Sequence, residues 1–150
     1  MTTERDYVLG THDEELTRLG LQHRVWRPVV LDCWQRAGIT IGKRVLDVGA
    51  GPGYAAVDLA EIVAPTGEVT ALERSHNFVS AMKETCRARS LTNVNILELD
   101  LMTDDLPKGN YDFSSCRWCS GSGDTRHCDV ASRTNSQRSA WAPGSPLRAT

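Results

Sequence analysis

The run VLDVGAGPGYA, from Val45 to Ala55, constrains this chain more than any other stretch. An apolar strand-like segment (Val45, Leu46, Val48) leads into Gly49, Gly51 and Gly53, and a helical pattern opens at Tyr54. Glycine is required where a turn takes positive φ or where a ligand must touch the backbone. A Gly-rich strand-to-helix turn is the usual cradle of an open α/β sheet for a nucleotide cofactor. Asp47, two residues before the first glycine, narrows the choice. A carboxylate at the lip of the turn repels a pyrophosphate, whereas a phosphate-free ligand with net positive charge tolerates it. The dinucleotide fingerprint G-x-G-x-x-G also fails, because Tyr54 stands where its third glycine belongs. A shifted match, Gly51-x-Gly53-x-x-Ala56, is formally allowed.

The flanking pattern is βαβαβ. Thr11 and Glu14 match a capping box, so a helix is expected to run to about Arg27 with Leu16, Leu19 and Leu21 on its apolar side. Pro28 fits the first turn of a second helix, through Val29, Val30, Cys33 and Trp34 to Ala37. Strands are expected at 44–48, 68–73 and 94–99, with helices at 54–63 and after Ser75, and a fourth strand starts at Tyr111. This order predicts an α/β fold with a doubly wound, mostly parallel sheet. Trp26 and Trp34 read as packing residues, and His12 and His23 as surface or helix-packing histidines.

Three acids then fall at the C-terminal ends of three successive strands: Asp47, Glu73 and Asp100. Those ends form the ligand crevice of an open α/β sheet. Glu73 lies about 20 residues past the glycine loop, where an acceptor for a ribose diol belongs. Asp100 can accept from an adenine amino group, and the Leu101 N–H can meet a ring nitrogen. The candidate cofactor-binding set is therefore Asp47, Gly49, Ala50, Gly51, Gly53, Glu73, Arg74, Asp100 and Leu101. The plainer alternatives are a solvated strand-end carboxylate for Glu73 and a helix or turn cap for Asp100. No residue is marked as a general base.

With these motifs in place, the chain resembles the class I S-adenosylmethionine-dependent methyltransferases. VLDVGAGPG is similar to their first motif, ALERS to the second-strand acid and LELDLMTDDLP to the third-strand acid. The segment YVLGT…ELTRLGLQHRVWRP looks like the leader of bacterial small-molecule methyltransferases. The resemblance implies a Rossmann-like core, S-adenosyl-L-methionine as cofactor, a small-molecule methyl acceptor, and leader helices with Tyr7 acting as a lid. It divides the chain into a leader at 1–43, a cofactor-binding core at 44–118 and a tail at 119–150. The alternatives are a NAD- or FAD-dependent oxidoreductase and a non-enzymatic fragment.

The tail departs from that pattern. From Ser114 to Thr150 there is one Leu, one Val and no Ile, Phe or Met. Such a segment buries too little apolar area to offset its ordering entropy, so it is expected to be largely disordered. The fourth strand would then keep an open edge. The family sheet has seven strands, so the expectation is a product truncated or frame-shifted near Ser114 to Cys119, impaired as an enzyme. Cys116, Cys119, His127 and Cys128 invite a zinc reading, but adjacent His127 and Cys128 suit one ion poorly, and no metal is assigned. The odd cysteine count and a net charge of −2 fit a reducing cytoplasm, with no basic excess for nucleic acid and no apolar run for a membrane.

Overall fold

The computed structural model describes residues 13–116 and the backbone of 129–134. Its elements are α1 (Asp13–Ala37), β1 (Arg44–Val48), α2 (Tyr54–Val63), β2 (Glu68–Glu73), α3 (His76–Ala88), β3 (Val94–Glu98), β4 (Tyr111–Cys116) and β5 (Asp129–Thr134). They form one sheet in the order β3-β2-β1-β4-β5. β1 lies at its centre, parallel to β2 through Val45↔Val69 and to β4 through Val45↔Phe113. A central parallel strand is covered on both faces, which is why β1 and β2 read as nearly unbroken apolar runs.

Alternation along the strands divides these residues between two faces. Val45, Val69, Ala71 and Phe113 share one core with residues of all three helices. Leu46, Thr70 and Leu72 fall on the opposite face and are also buried. α2 is buried along almost its whole length because it lies in the middle of the helical layer. α3 is amphipathic and turns Phe78, Val79, Met82 and Cys86 inward. Ser75 accepts a hydrogen bond from the Phe78 N–H and caps α3, as its position before the helix predicts.

Three sequence expectations change. The leader forms one helix, not two, with Pro28 inside it. Proline cannot donate the bond its position owes to Arg24, but Arg24, Val25 and Pro28 lie on the exposed side, where water takes that bond. The capping residue Thr11 and His12 lie outside the described residues. The apolar face of α1 is also not the expected one. Leu21 is 53% exposed and Trp26 43%, while Val30 and Trp34 are buried. Full burial of a large apolar side chain is worth about 2–3 kcal/mol, so Trp34 anchors the C-terminal half of α1. Finally, the edge of β4 is not open. β5 pairs with it antiparallel, Phe113 opposite Ser132, and takes up its backbone hydrogen bonds. The rest of the expected disordered tail lies outside the described residues.

Cys33 and Cys86 are free thiols, and burial pushes the Cys86 thiol up. Cys116 is disulfide-bonded, unlike the reduced state expected from the sequence. No helix among the described residues is long and apolar enough to cross a membrane.

Candidate functional site

The site is built where β1 stops. Gly49, Gly51 and Gly53 all have positive φ, at 67°, 58° and 88°. The Ala50 N–H donates to the Leu72 carbonyl (2.9 Å), which ties the start of the loop to β2. The Val57 N–H then donates to the Gly53 carbonyl (2.9 Å) and starts α2. Two of the glycines have different reasons for lacking a side chain. A Cβ on Gly51 would meet nothing within 4 Å, so that residue serves its backbone angle and leaves the loop open to a ligand. A Cβ on Gly53 would overlap Met82 Cγ and lie 2.8 Å from its Sδ, so Gly53 lets α3 pack against the loop. Gly53 is buried behind the cavity, not on its wall.

A cavity of about 430 Å³ opens over this loop. The other eight residues of the candidate set line it. Asp47 is 2% exposed and stands in register with Ala71 and Ser115. Glu73 is also buried, and its carboxylate is held by the backbone. Oε2 accepts from the Gly51 N–H (2.8 Å), and Oε1 accepts from the N–H groups of Arg74 and Ser75 (2.9 Å each). One carboxylate thus ties the end of β2 to the tip of the glycine loop. A carboxylate offers about four acceptor positions, so three such bonds leave capacity for a ligand hydroxyl. Asp100 caps a turn, with Oδ1 accepting from the Met102 N–H (2.9 Å). Its plainer reading as a turn cap therefore holds for one oxygen, while the residue still faces the cavity.

The sequence reading missed the opposite wall. Glu15, Arg18, Leu19 and Gln22 of α1 face the cavity at i, i+3, i+4 and i+7. That spacing is a helix face, and it was legible once the helix was placed; three polar side chains hid it from a search for apolar stripes. Arg18 grips Glu15, with Nε at 2.8 Å from Oε2 and Nη2 at 2.5 Å from Oε1. The guanidinium holds the Glu15 carboxyl below the usual range, against the opposing effect of burial.

A buried seam keeps α1 in place. The Tyr54 hydroxyl donates to the Leu16 carbonyl (2.9 Å), and the His23 ring stacks on Tyr54 at 5.7 Å between centroids. Behind them, the Asp58 carboxylate of α2 meets His23 and Arg27 of α1. His23, expected to be a surface or packing residue, is buried in this ion cluster.

The cavity wall carries four carboxylates (Glu15, Asp47, Glu73, Asp100) and two guanidiniums (Arg18, Arg74). Such a wall favours a cationic ligand over a polyanion. Among the described residues, no group of three or more His, Cys, Asp or Glu is placed to hold a metal ion.

Comparison with known proteins agrees with this geometry. Residues 45–133 match a family model described as a methyltransferase domain. A demethylmenaquinone methyltransferase of Geobacillus kaustophilus is 35% identical over 92 residues, covering 61% of this chain and 38% of the relative. The Staphylococcus aureus (strain JH9) protein of the same name is 34% identical over 92 residues, covering 61% and 36%. The chain thus spans less than two fifths of the length of these relatives. Among solved structures, a SAM-dependent methyltransferase from Aquifex aeolicus superposes with a TM-score of 0.53 at 28% identity, over 58% of this chain and 46% of that one. Coclaurine N-methyltransferase bound to N-methylheliamine and SAH gives 0.54 at 28%, over 59% and 26%.

Proposed function

The chain belongs to the methyltransferase-domain family, and on that premise we propose that its cavity binds S-adenosylmethionine and that the protein transfers the methyl group to a small-molecule acceptor. The observation that carries this reading is the bond from the Gly51 N–H to Glu73 Oε2 at 2.8 Å. It places a strand-end carboxylate and an open glycine turn at one point of a cavity with a predominantly acidic wall. The residues present fit the cofactor. Glu73 faces the ribose hydroxyls, Asp100 and the Leu101 N–H face the adenine edge, and Asp47 with the 49–51 turn receives the methionine end. Arg74, exposed at the end of β2, borders the nucleoside end.

When bound, the cofactor supplies a methyl group already activated on a sulfonium. The protein's contribution is alignment and exclusion of water. Residues 44–116 hold the cofactor half, and α1 forms the wall that separates the cavity from solvent. The small-molecule class of acceptor is supported by the names of the relatives and by a net charge of −2 without a basic excess.

Thermal melts with S-adenosylhomocysteine and with NAD test the reading. A ligand at about 100 times its Kd adds roughly 2.7 kcal/mol, which raises the Tm of a domain this size by several degrees. The adenosyl ligand should give that rise and NAD should not. A rise with NAD alone would replace this reading with the dinucleotide-dependent oxidoreductase. Transfer of labelled methyl to a panel of small acceptors, quinols included, then tests the activity itself.

A further inference from the structure

We propose that Arg18 is the binding group for the α-carboxylate of the cofactor, so that the amino-acid end of the ligand lies between Arg18 on α1 and Asp47 on β1. This rests on the S-adenosylmethionine reading and names a residue outside the glycine loop and strand-end motifs.

The sheet order sets the direction of the cavity. The ends of β1, β2 and β3 lie side by side, so Asp47, Glu73 and Asp100 follow one another across it. α1 crosses the β1 end. Its Leu16 carbonyl accepts from Tyr54, the first residue after the glycine loop, and a Cβ on Gly20 would lie 3.0 Å from the same Tyr54 hydroxyl. Arg18 sits between these two contact points. Arg74 follows Glu73 directly and belongs to the nucleoside side. Of the two guanidiniums on the wall, Arg18 is therefore the one at the methionine end.

The Glu15 contact shows that this guanidinium is placed. An exposed i,i+3 pair would add only a few tenths of a kcal/mol to the helix. Here Glu15 is 8% exposed, and its carboxylate engages Nε and Nη2 of Arg18 together. A two-point grip fixes the plane of the guanidinium. The remaining nitrogen, Nη1, points along the cavity wall toward Gln22 Oε1 at 3.5 Å, a contact at the limit of a hydrogen bond that a ligand carboxylate can take over. Without Arg18, a ligand carboxylate at this end would face Asp47 and Glu15 with no cation beside them. With it, the zwitterion matches the wall: ammonium toward Asp47, carboxylate toward Arg18.

Isothermal titration with two ligands tests this, S-adenosylhomocysteine and 5′-methylthioadenosine, which keeps the nucleoside and lacks the amino-acid head. In Arg18→Met, affinity for S-adenosylhomocysteine should fall about 10- to 100-fold, the range for loss of a charged hydrogen bond. Affinity for methylthioadenosine should stay within about 2-fold. Because Arg18→Met leaves Glu15 buried without its cation, the double variant E15Q/R18M is measured alongside and should show the same split. Arg18→Lys should recover part of the loss. Equal losses for both ligands in the single and double variants would mean that Arg18 only shapes the wall, and would overturn the proposal. Unchanged binding of S-adenosylhomocysteine would overturn it as well. If the unaltered protein binds neither ligand, the S-adenosylmethionine reading itself falls, and the proposal with it.

Discussion

His23 Nε2 lies 2.8 Å from Asp58 Oδ2 across the α1–α2 seam, and both side chains are less than a tenth exposed. Arg27, one turn further along α1, closes on the same carboxylate with Nε at 2.8 Å and Nη2 at 3.2 Å. The hold on the N-terminal half of α1 is therefore largely polar. Its leucines contribute little, since Leu16 and Leu19 are half-buried and Leu21 is exposed. The seam stands directly behind the cavity, because Tyr54 stacks on His23 with one ring face and also lines the cavity. The wall that carries Glu15 and Arg18 is positioned by a buried carboxylate four residues into α2.

Asp58→Asn should destabilise the protein by about 3 kcal/mol, because removing one partner of a buried ion cluster leaves the others desolvated without compensation. Burial alone would push the Asp58 carboxyl up, but the hydrogen bonds and charges of His23 and Arg27 together outweigh it and hold it below its usual range. A folded carboxyl with a depressed pKa contributes stability that is present above the unfolded value, about 3.9, and is lost as pH falls through the folded one. Urea unfolding should thus show a constant gap between wild type and variant from about pH 7 to 5, narrowing only below about pH 4. A gap already closing between pH 7 and 5 would remove Asp58 as its source.

Gly53→Ala and Gly51→Ala should differ. Both residues have positive φ, which costs an L-residue about 1–2 kcal/mol. At Gly51 that is the whole cost, since nothing lies within 4 Å of the added Cβ. At Gly53 the new carbon also collides with Met82, and overpacking adds about 1–3 kcal/mol. Met82→Ala in the Gly53→Ala background should return part of that extra loss. A double-mutant cycle from denaturant melts measures it, and additive effects would show that the Met82 contact carries no cost.

Much of this fold was legible in the sequence because its parallel core announces itself. The runs Val45–Val48 and Glu68–Glu73 are apolar on both faces, and the glycine triplet and Ser75 mark where α2 and α3 begin. α1 was misread for two physical reasons. Pro28 carries the same signature at the first turn of a helix as on the wet side of a continuous one, and only the tertiary placement tells them apart. The inward face of α1 combines Glu15 and His23 with Val30 and Trp34, so an apolar periodicity search picks Leu21 in place of the charges. Asp58 was hidden likewise, as one acid in an apolar helix whose partners lie 31 and 35 residues away. β5 could not be foreseen from apolar content, because what it provides to β4 is backbone pairing.

Glu73→Ala should loosen the glycine loop and weaken the cofactor together. The carboxylate accepts from Gly51, Arg74 and Ser75, and its loss strands three N–H groups, at about 1–3 kcal/mol for each that water does not reach. Hydrogen exchange at the Gly51 amide should speed up markedly in the variant. Affinity for S-adenosylhomocysteine should fall about 100-fold, from the lost ribose acceptor and the slack loop combined. Fast exchange with unchanged affinity would separate the two roles and leave Glu73 as a structural tie.

Pro28→Ala should stabilise the protein. A proline inside a helix costs about 3 kcal/mol relative to alanine, from the missing N–H and the clash of its ring with the carbonyl four residues back. Here the helix runs unbroken through Pro28 to Ala37, and the proline side chain is exposed, so its removal gives up little burial. Alanine at this position can donate to the Arg24 carbonyl and close the gap in the ladder. The expected gain is about 1–3 kcal/mol, the lower end applying if local bending has already relieved the clash. Urea unfolding measures it directly. A loss of stability would mean that residues 24–28 follow a bend which the new N–H cannot bridge, and that the bend is held by the Asp58 cluster on one side and Val30 and Trp34 on the other.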